Sequence, residues 1–207
     1  MITLFWCPQT RASRILWLLE EMNEPFEVRL IDIRKPESKA DPDFLAASPM
    51  GKVPALMDTT PGGTVYVADS AAIALYLADR YPDAGLAPAT DDPLRGPYLY
   101  WMTYTPGVIE PAMMEKFTGQ EVSRASSGWG NFDTMIEVLE AALEKGPWVM
   151  GEQFCAADVL LGSSVYFMKM FGILPENPVL AAYVERCLAR PAYAKALARD
   201  AELQPAN

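Results

Sequence analysis

The spacing of apolar and polar positions changes several times along the chain, and each change marks an element. Ile2–Trp6 is a short unbroken apolar run, the pattern of a buried strand. Cys7, Pro8, Gln9 and Thr10 read as a turn, with Pro8 placed to open a helix. Arg11–Met22 is predicted as that helix, with Ile15, Leu16, Leu18, Leu19 and Met22 on a broad apolar face and Asn23-Glu24-Pro25 as its stop. Phe26–Ile33 alternates as a second strand. A strand–helix–strand opening makes a parallel pair with a right-handed crossover. Arg34–Asp43 is polar and contains prolines, so it reads as a loop, and Asp43–Ala47 as a short helix. Val53–Met57 and Thr64–Val67 flank the turn-rich Asp58–Gly63 as a hairpin. Asp69 and Ser70 then cap a helix running to about Tyr81.

From Pro82 the pattern loosens into a stretch of proline, glycine and aspartate, the clearest linker in the chain. The expected division is therefore a first domain over 1–81, a linker over 82–92 and an all-helical domain over 93–207. In the latter, Leu94–Phe117 is aromatic- and methionine-rich and is expected to kink at Pro106 and Pro111. Asn131–Glu144, Ala156–Phe171, Pro178–Leu188 and Ala192–Leu203 supply the other helices.

Charge and composition narrow the chemistry. The 207 residues carry a net charge of -10, which argues against non-specific nucleic-acid binding. Histidine is absent, which removes a Ser-His-Asp triad, a His-ligated metal and a His general base. A nucleophile must then be activated by a helix N-terminus, a cation or water. The three cysteines, Cys7, Cys155 and Cys187, are odd in number and widely spaced. They fit neither a disulfide framework nor a metal knuckle, and imply a reducing compartment. No signal peptide and no bilayer-spanning run is expected.

Three segments sharpen the picture: WCPQTRASRILWLLEE, SPMGKVPAL and VADSAAIALYLADRYP. In this order and at these separations they resemble the glutathione S-transferase superfamily over nearly all of the first domain, and GEQFCAADVLL extends a weaker match into the helical part. The resemblance implies an α/β thioredoxin-like N-terminal domain (βαβ-ββα) followed by an all-α C-terminal helical bundle.

It also implies roles for named residues. Cys7 ends the first strand just before the first helix, where unpaired N–H groups favour negative charge. The family holds tyrosine, serine or cysteine there, and a cysteine favours thiol exchange. With Thr10 in place of a second cysteine, a mixed disulfide with glutathione would be resolved by a second glutathione. The plain alternative is that Cys7 is a buried small hydrophobe. Thr10 and Ser13 are the fallback hydroxyls, though Thr10 can equally bond the helix backbone. Arg11 and Arg14 are candidate cations near the sulfur. By the resemblance Pro54 is cis, and the Val53 backbone pairs with the cysteinyl unit of glutathione as an added strand does. Lys52 and Lys39 would meet the glycine carboxylate, the alternative for Lys39 being a solvated loop lysine. Asp69 and Ser70 would hold the γ-glutamyl end at the start of their helix, a role compatible with capping.

In the helical part, Cys155 to Asp158 matches a capping box with cysteine in place of the usual serine or threonine. The helix should form with some loss of stability, and Cys155 and Cys187 read as packing residues. Tyr100, Tyr104 and Val108, at i, i+4 and i+8, are the expected wall of a hydrophobic substrate pocket, or else bundle core. The expected protein is thus a cytoplasmic, homodimeric glutathione-dependent detoxification enzyme. It would use glutathione as co-substrate and no metal, and act on small hydrophobic electrophiles, mixed disulfides or thioethers, without nucleic-acid or membrane partners. The alternatives are a non-catalytic interaction module, a glutaredoxin-like reductase, or an isomerase or ether-cleaving enzyme on the same fold.

Overall fold

The computed structural model describes residues 1–35, 37, 40–120 and 122–203. The elements run β1 (Ile2–Trp6), α1 (Ala12–Met22), β2 (Phe26–Leu30), α2 (Pro42–Ala47), β3 (Ala55–Thr60), β4 (Gly63–Ala68) and α3 (Ser70–Arg80). Then come α4 (Arg95–Tyr104), α5 (Glu110–Thr118), α6 (Phe132–Leu143), α7 (Ala156–Met170), α8 (Pro178–Leu188) and α9 (Pro191–Leu203). Two compact units result: residues 1–84 with 190–207, and residues 85–189.

The first unit is built on a four-stranded sheet in the order β2-β1-β3-β4. β1 and β2 are parallel, and β3 runs antiparallel to both β1 and β4. This is the mixed sheet of a thioredoxin-like domain, as the βαβ-ββα order predicts. β1 is central and buried along its whole length, which is why Ile2–Trp6 reads as a continuous apolar run rather than an alternating one. On one face Phe5, Ile31, Phe44, Ala47 and Ala55 form a core cluster under α2. α1 and α3 cover the sheet from β1 and β3 and pack on each other.

The breadth of the apolar face of α1 has a second cause. Ile15, Leu16, Trp17, Leu18 and Leu19 are all buried because α9 packs on α1 as well. Trp17 meets Tyr193 edge-on at 5.2 Å, and Arg190 forks onto the Glu21 carboxylate at 2.6 and 2.8 Å. Arg199 pairs with Glu20 at 2.9 Å and stacks over Phe26. The last helix therefore belongs with the sheet unit.

The second unit is helical. α4 and α5 are joined without a break by a π-helical turn, Thr105–Ile109. Pro106, which has no N–H to give, sits at the start of that turn, and Pro111 at the start of α5. The expected long helical segment forms, with its prolines at the π-helical turn and at the start of α5. Trp148 and Gly151 exchange backbone hydrogen bonds at 2.9 Å in a tight turn before α7. Gly146 makes that turn possible: a Cβ there would lie 2.8 Å from the Gly151 backbone.

Candidate functional site

Strand register brings the candidate residues together. Phe5 faces Ala55, and Ala55 faces Ala68. One or two residues further on, Cys7, Pro54 with Val53, and Asp69 with Ser70 stand at the same end of three adjacent strands. β2 adds to this end, since Trp6 pairs with Leu30 and the Ile31 N–H donates to Trp6 O at 2.8 Å. It is the carboxyl end of the parallel strands, where α/β proteins place their ligands.

Cys7 lies in the turn between β1 and α1, and its side chain has no exposed surface. The turn is tied locally. Thr10 Oγ1 donates to Cys7 O at 2.7 Å and accepts from the Ala12 N–H at 3.2 Å. Ser13 Oγ donates to Thr10 O at 3.1 Å. Each hydroxyl has one proton, so both hydroxyl protons are committed to backbone carbonyls. Gln9 holds the turn open with φ +58°, a left-handed conformation uncommon for a residue with a side chain. Arg11 is exposed, whereas Arg14 is buried within α1.

The Val53–Pro54 bond is cis. Pro54 is buried and Val53 half-buried, packed against the cluster beneath α2. Lys52 is exposed, and its backbone N–H donates to Ser48 Oγ at 2.9 Å. Lys39 lies outside the described residues.

Asp69 is exposed and Ser70 is buried at 6%. Asp69 Oδ1 accepts from the Ala71 N–H at 3.0 Å, so the aspartate does cap α3. Its φ of +75° is a conformation that costs a non-glycine residue about 1–3 kcal/mol and that collects at functional sites. Only one of the first-turn N–H groups is taken by this cap, and the exposed carboxylate keeps acceptor sites for a cation.

One residue escaped the sequence reading. Arg34, assigned only to a polar loop, places Nη2 3.4 Å from Cys7 Sγ. Hydrogen bonds first to Cys7 and then to Asp32 hold its guanidinium above its ordinary, already high pKa. The available signal was positional: β2 runs parallel beside β1, so residues just past β2 reach the end where Cys7 sits.

Of the helical candidates, Tyr104 is buried, and its hydroxyl donates to Met135 O at 3.2 Å. Burial pushes that hydroxyl well above its ordinary pKa. Tyr100 is half exposed and Val108 half-buried. The same unit exposes rings that the sequence reading did not single out, Phe117 and Phe171, in edge-on contact at 5.5 Å. At the start of α7, Asp158 accepts from the N–H groups of Cys155 and Val149 at 3.0 and 2.9 Å and from the Tyr183 hydroxyl at 2.9 Å. The capping box forms with cysteine at its head.

Residues 6–80, the segment that carries this sheet end, match the family model described as glutathione S-transferase, N-terminal domain. A glutathione transferase from Methylococcus capsulatus superposes with a TM-score of 0.81 at 28% identity, over 98% of this chain and 100% of its own. The first domain carries the glutathione S-transferase N-terminal signature, and the whole chain is similar in sequence and fold to glutathione S-transferases. Another structural relative, a sphingomonad glutathione S-transferase complexed with glutathione, has a TM-score of 0.77 at 27% identity, with 96% of this chain and 98% of that one covered. The disulfide-bond oxidoreductase YfcG of Escherichia coli is 28% identical over 95% of this chain and 94% of its own length. Relatives of this superfamily thus include both a transferase and a disulfide oxidoreductase. Among the described residues no helix is long and apolar enough to cross a membrane.

Proposed function

We propose that this chain is a glutathione-dependent transferase that seats the tripeptide across the carboxyl end of its sheet. The observation that carries this reading is the register that gathers Cys7, Val53–Pro54 and Asp69–Ser70 at one end of neighbouring strands. The extended cysteinyl unit pairs with the Val53 backbone, as a strand added at an edge does. The γ-glutamyl carboxylate lies on Ser70 and the first-turn N–H groups of α3, and its ammonium on Asp69. Lys52 faces the glycine carboxylate. The glutathione sulfur then points to the β1–α1 turn, where helix N–H groups and the guanidinium of Arg34 favour the thiolate.

Burial orders the possible chemistries. A thiol without exposed surface cannot take part in disulfide exchange while it stays covered, and Cys7 has none. Glutathione's own thiolate is therefore the nucleophile. It attacks a soft electrophilic carbon, and the leaving group departs with the bonding electrons. The exposed aromatic rings Tyr100, Phe117 and Phe171 support a small hydrophobic second substrate. A second reading, thiol–disulfide exchange through Cys7, is favoured by the likeness to a disulfide-bond oxidoreductase. The same proposal includes a cytoplasmic homodimer engaged in disposal of electrophiles, and the exposed Leu94 and Leu99 at the start of α4 offer apolar surface for a second copy to cover.

Calorimetric titration with glutathione and conjugation of chlorodinitrobenzene test the reading together. The wild-type chain should bind and conjugate, and Ser70→Ala should weaken binding roughly tenfold, the loss of about one charge-assisted hydrogen bond. Absence of glutathione binding by the wild type, or full affinity in Ser70→Ala, would remove the proposed seat.

A further inference from the structure

The Cys7 sulfur presents a contradiction: it stands at the end of the sheet where the ligand is expected, yet the residue has no exposed surface. The polar group against it comes from the chain just past the end of β2. Arg34 Nη2 approaches Sγ at 3.4 Å across 27 residues of sequence. The Arg34 side chain is itself 60% exposed, so part of the guanidinium stays open to solvent while Nη2 meets the buried sulfur. It is braced in that pose. Asp32 Oδ1 accepts from both Arg34 Nε and the Arg34 backbone N–H, at 3.2 and 3.1 Å. Asp32 also pairs with Lys35 at 3.7 Å, which keeps its carboxylate turned toward this loop.

We propose that Arg34 is a latch on Cys7, a positioning residue that decides whether the site transfers glutathione or exchanges disulfides. The proposal deepens the transferase reading and rests on it for the identity of the substrate. With the latch closed, Cys7 is withheld and only the bound glutathione thiolate reacts. The contact that closes it is weak, because sulfur is a poorer acceptor for a guanidinium than a carboxylate oxygen is. An anionic ligand that offers a carboxylate to the exposed edge of Arg34 therefore competes with Sγ and draws the guanidinium away. Uncovered, the Cys7 thiolate attacks the glutathionyl sulfur of a mixed disulfide. The S–S bond breaks, the partner leaves as a thiolate and takes a proton from water, and Cys7 is left joined to glutathione. A second glutathione thiolate attacks that disulfide, forms oxidised glutathione and returns Cys7 as thiolate. One mixed disulfide and one glutathione thus give one thiol and one oxidised glutathione, with no other oxidant or reductant.

The three cysteines supply an internal control, since Cys155 and Cys187 are buried in the helical unit at 4% and 1% exposure. The native protein is labelled with iodoacetamide, and each cysteine peptide is followed by mass spectrometry. In Arg34→Ala, Cys7 should label at least tenfold faster than in the wild type, with Cys155 and Cys187 still protected. Glutathione-dependent reduction of hydroxyethyl disulfide should rise in parallel, and adding Cys7→Ala should abolish that gain. Equal Cys7 labelling in Arg34→Ala and wild type overturns the latch. Should all three cysteines of Arg34→Ala label together, the variant has unfolded and Asp32→Ala decides. That change keeps the guanidinium and removes its brace. Selective acceleration at Cys7 then supports the latch, and an unchanged rate overturns it. Labelling needs no glutathione, so a failure of the wild type to bind glutathione would end the transferase reading and leave this result standing.

Discussion

Two helix starts in this molecule use one chemistry for opposite ends. At α7, Asp158 is fully buried and accepts four hydrogen bonds, from two backbone N–H groups, from the Tyr183 hydroxyl and from the Cys155 thiol. At α3, Asp69 is exposed, takes one cap bond and sits at φ +75°. The first carboxylate is spent entirely on the fold. Burial drives its pKa upward, and the hydrogen bonds it accepts oppose that drift. The second keeps unused acceptor sites next to a helix N-terminus, in a backbone conformation that a cap alone does not require. A satisfied and buried terminus is structural, and a terminus left open at some cost in conformation is available to a ligand.

The sharpest way to break this contrast is to remove both carboxylates and compare. Asp158→Ala leaves the Val149 and Cys155 N–H groups without their buried acceptor and the Tyr183 hydroxyl with only the residue-158 carbonyl, so urea denaturation should show a loss of about 3 kcal/mol or more. Asp69→Asn keeps a good cap and removes the charge. Stability should move by less than about 0.5 kcal/mol, since Asn and Asp cap alike. Glutathione affinity should meanwhile fall roughly tenfold. If Asp69→Asn instead destabilises the chain and leaves glutathione binding untouched, α3 begins as α7 does, for structure only. The smallest effect refines the comparison at α7 itself. Cys155→Ser restores the better acceptor at the head of the box and should raise stability by roughly 0.5 kcal/mol in the same denaturation assay. A loss there would mean that the buried sulfur contributes more by packing than a hydroxyl does by capping.

Much of this was legible without coordinates, because it is local. The buried β1, the capped start of α3 and the proline-bearing helical turn at 105–109 follow from residues within a few positions of one another. Boundaries drifted where the chain leaves the sheet. Phe26–Ile33 alternates beyond the end of β2 at Leu30, and β3 begins at Ala55, two residues after the apolar pattern does. In the helical unit the i, i+4 stripe of Tyr100 and Tyr104 was visible, but not its division. Tyr104 turns inward to Met135 O while Tyr100 stays half exposed. A stripe gives a face, and only the neighbouring helices determine how far round that face is covered.

By itself, then, the sequence determined the elements, their order and the strand ends and helix starts at which the proposed glutathione seat is built, since propensity and capping act over short stretches of chain and the motif spacing carries the family resemblance. Tertiary structure alone decided that Arg34 meets the Cys7 sulfur and that α9 returns to α1 through Arg190 and Glu21, 169 residues apart. No local period encodes such meetings. They depend on where the chain lies after the sheet has closed, which is why the residue set against the sulfur was the one its own neighbourhood gave no reason to single out.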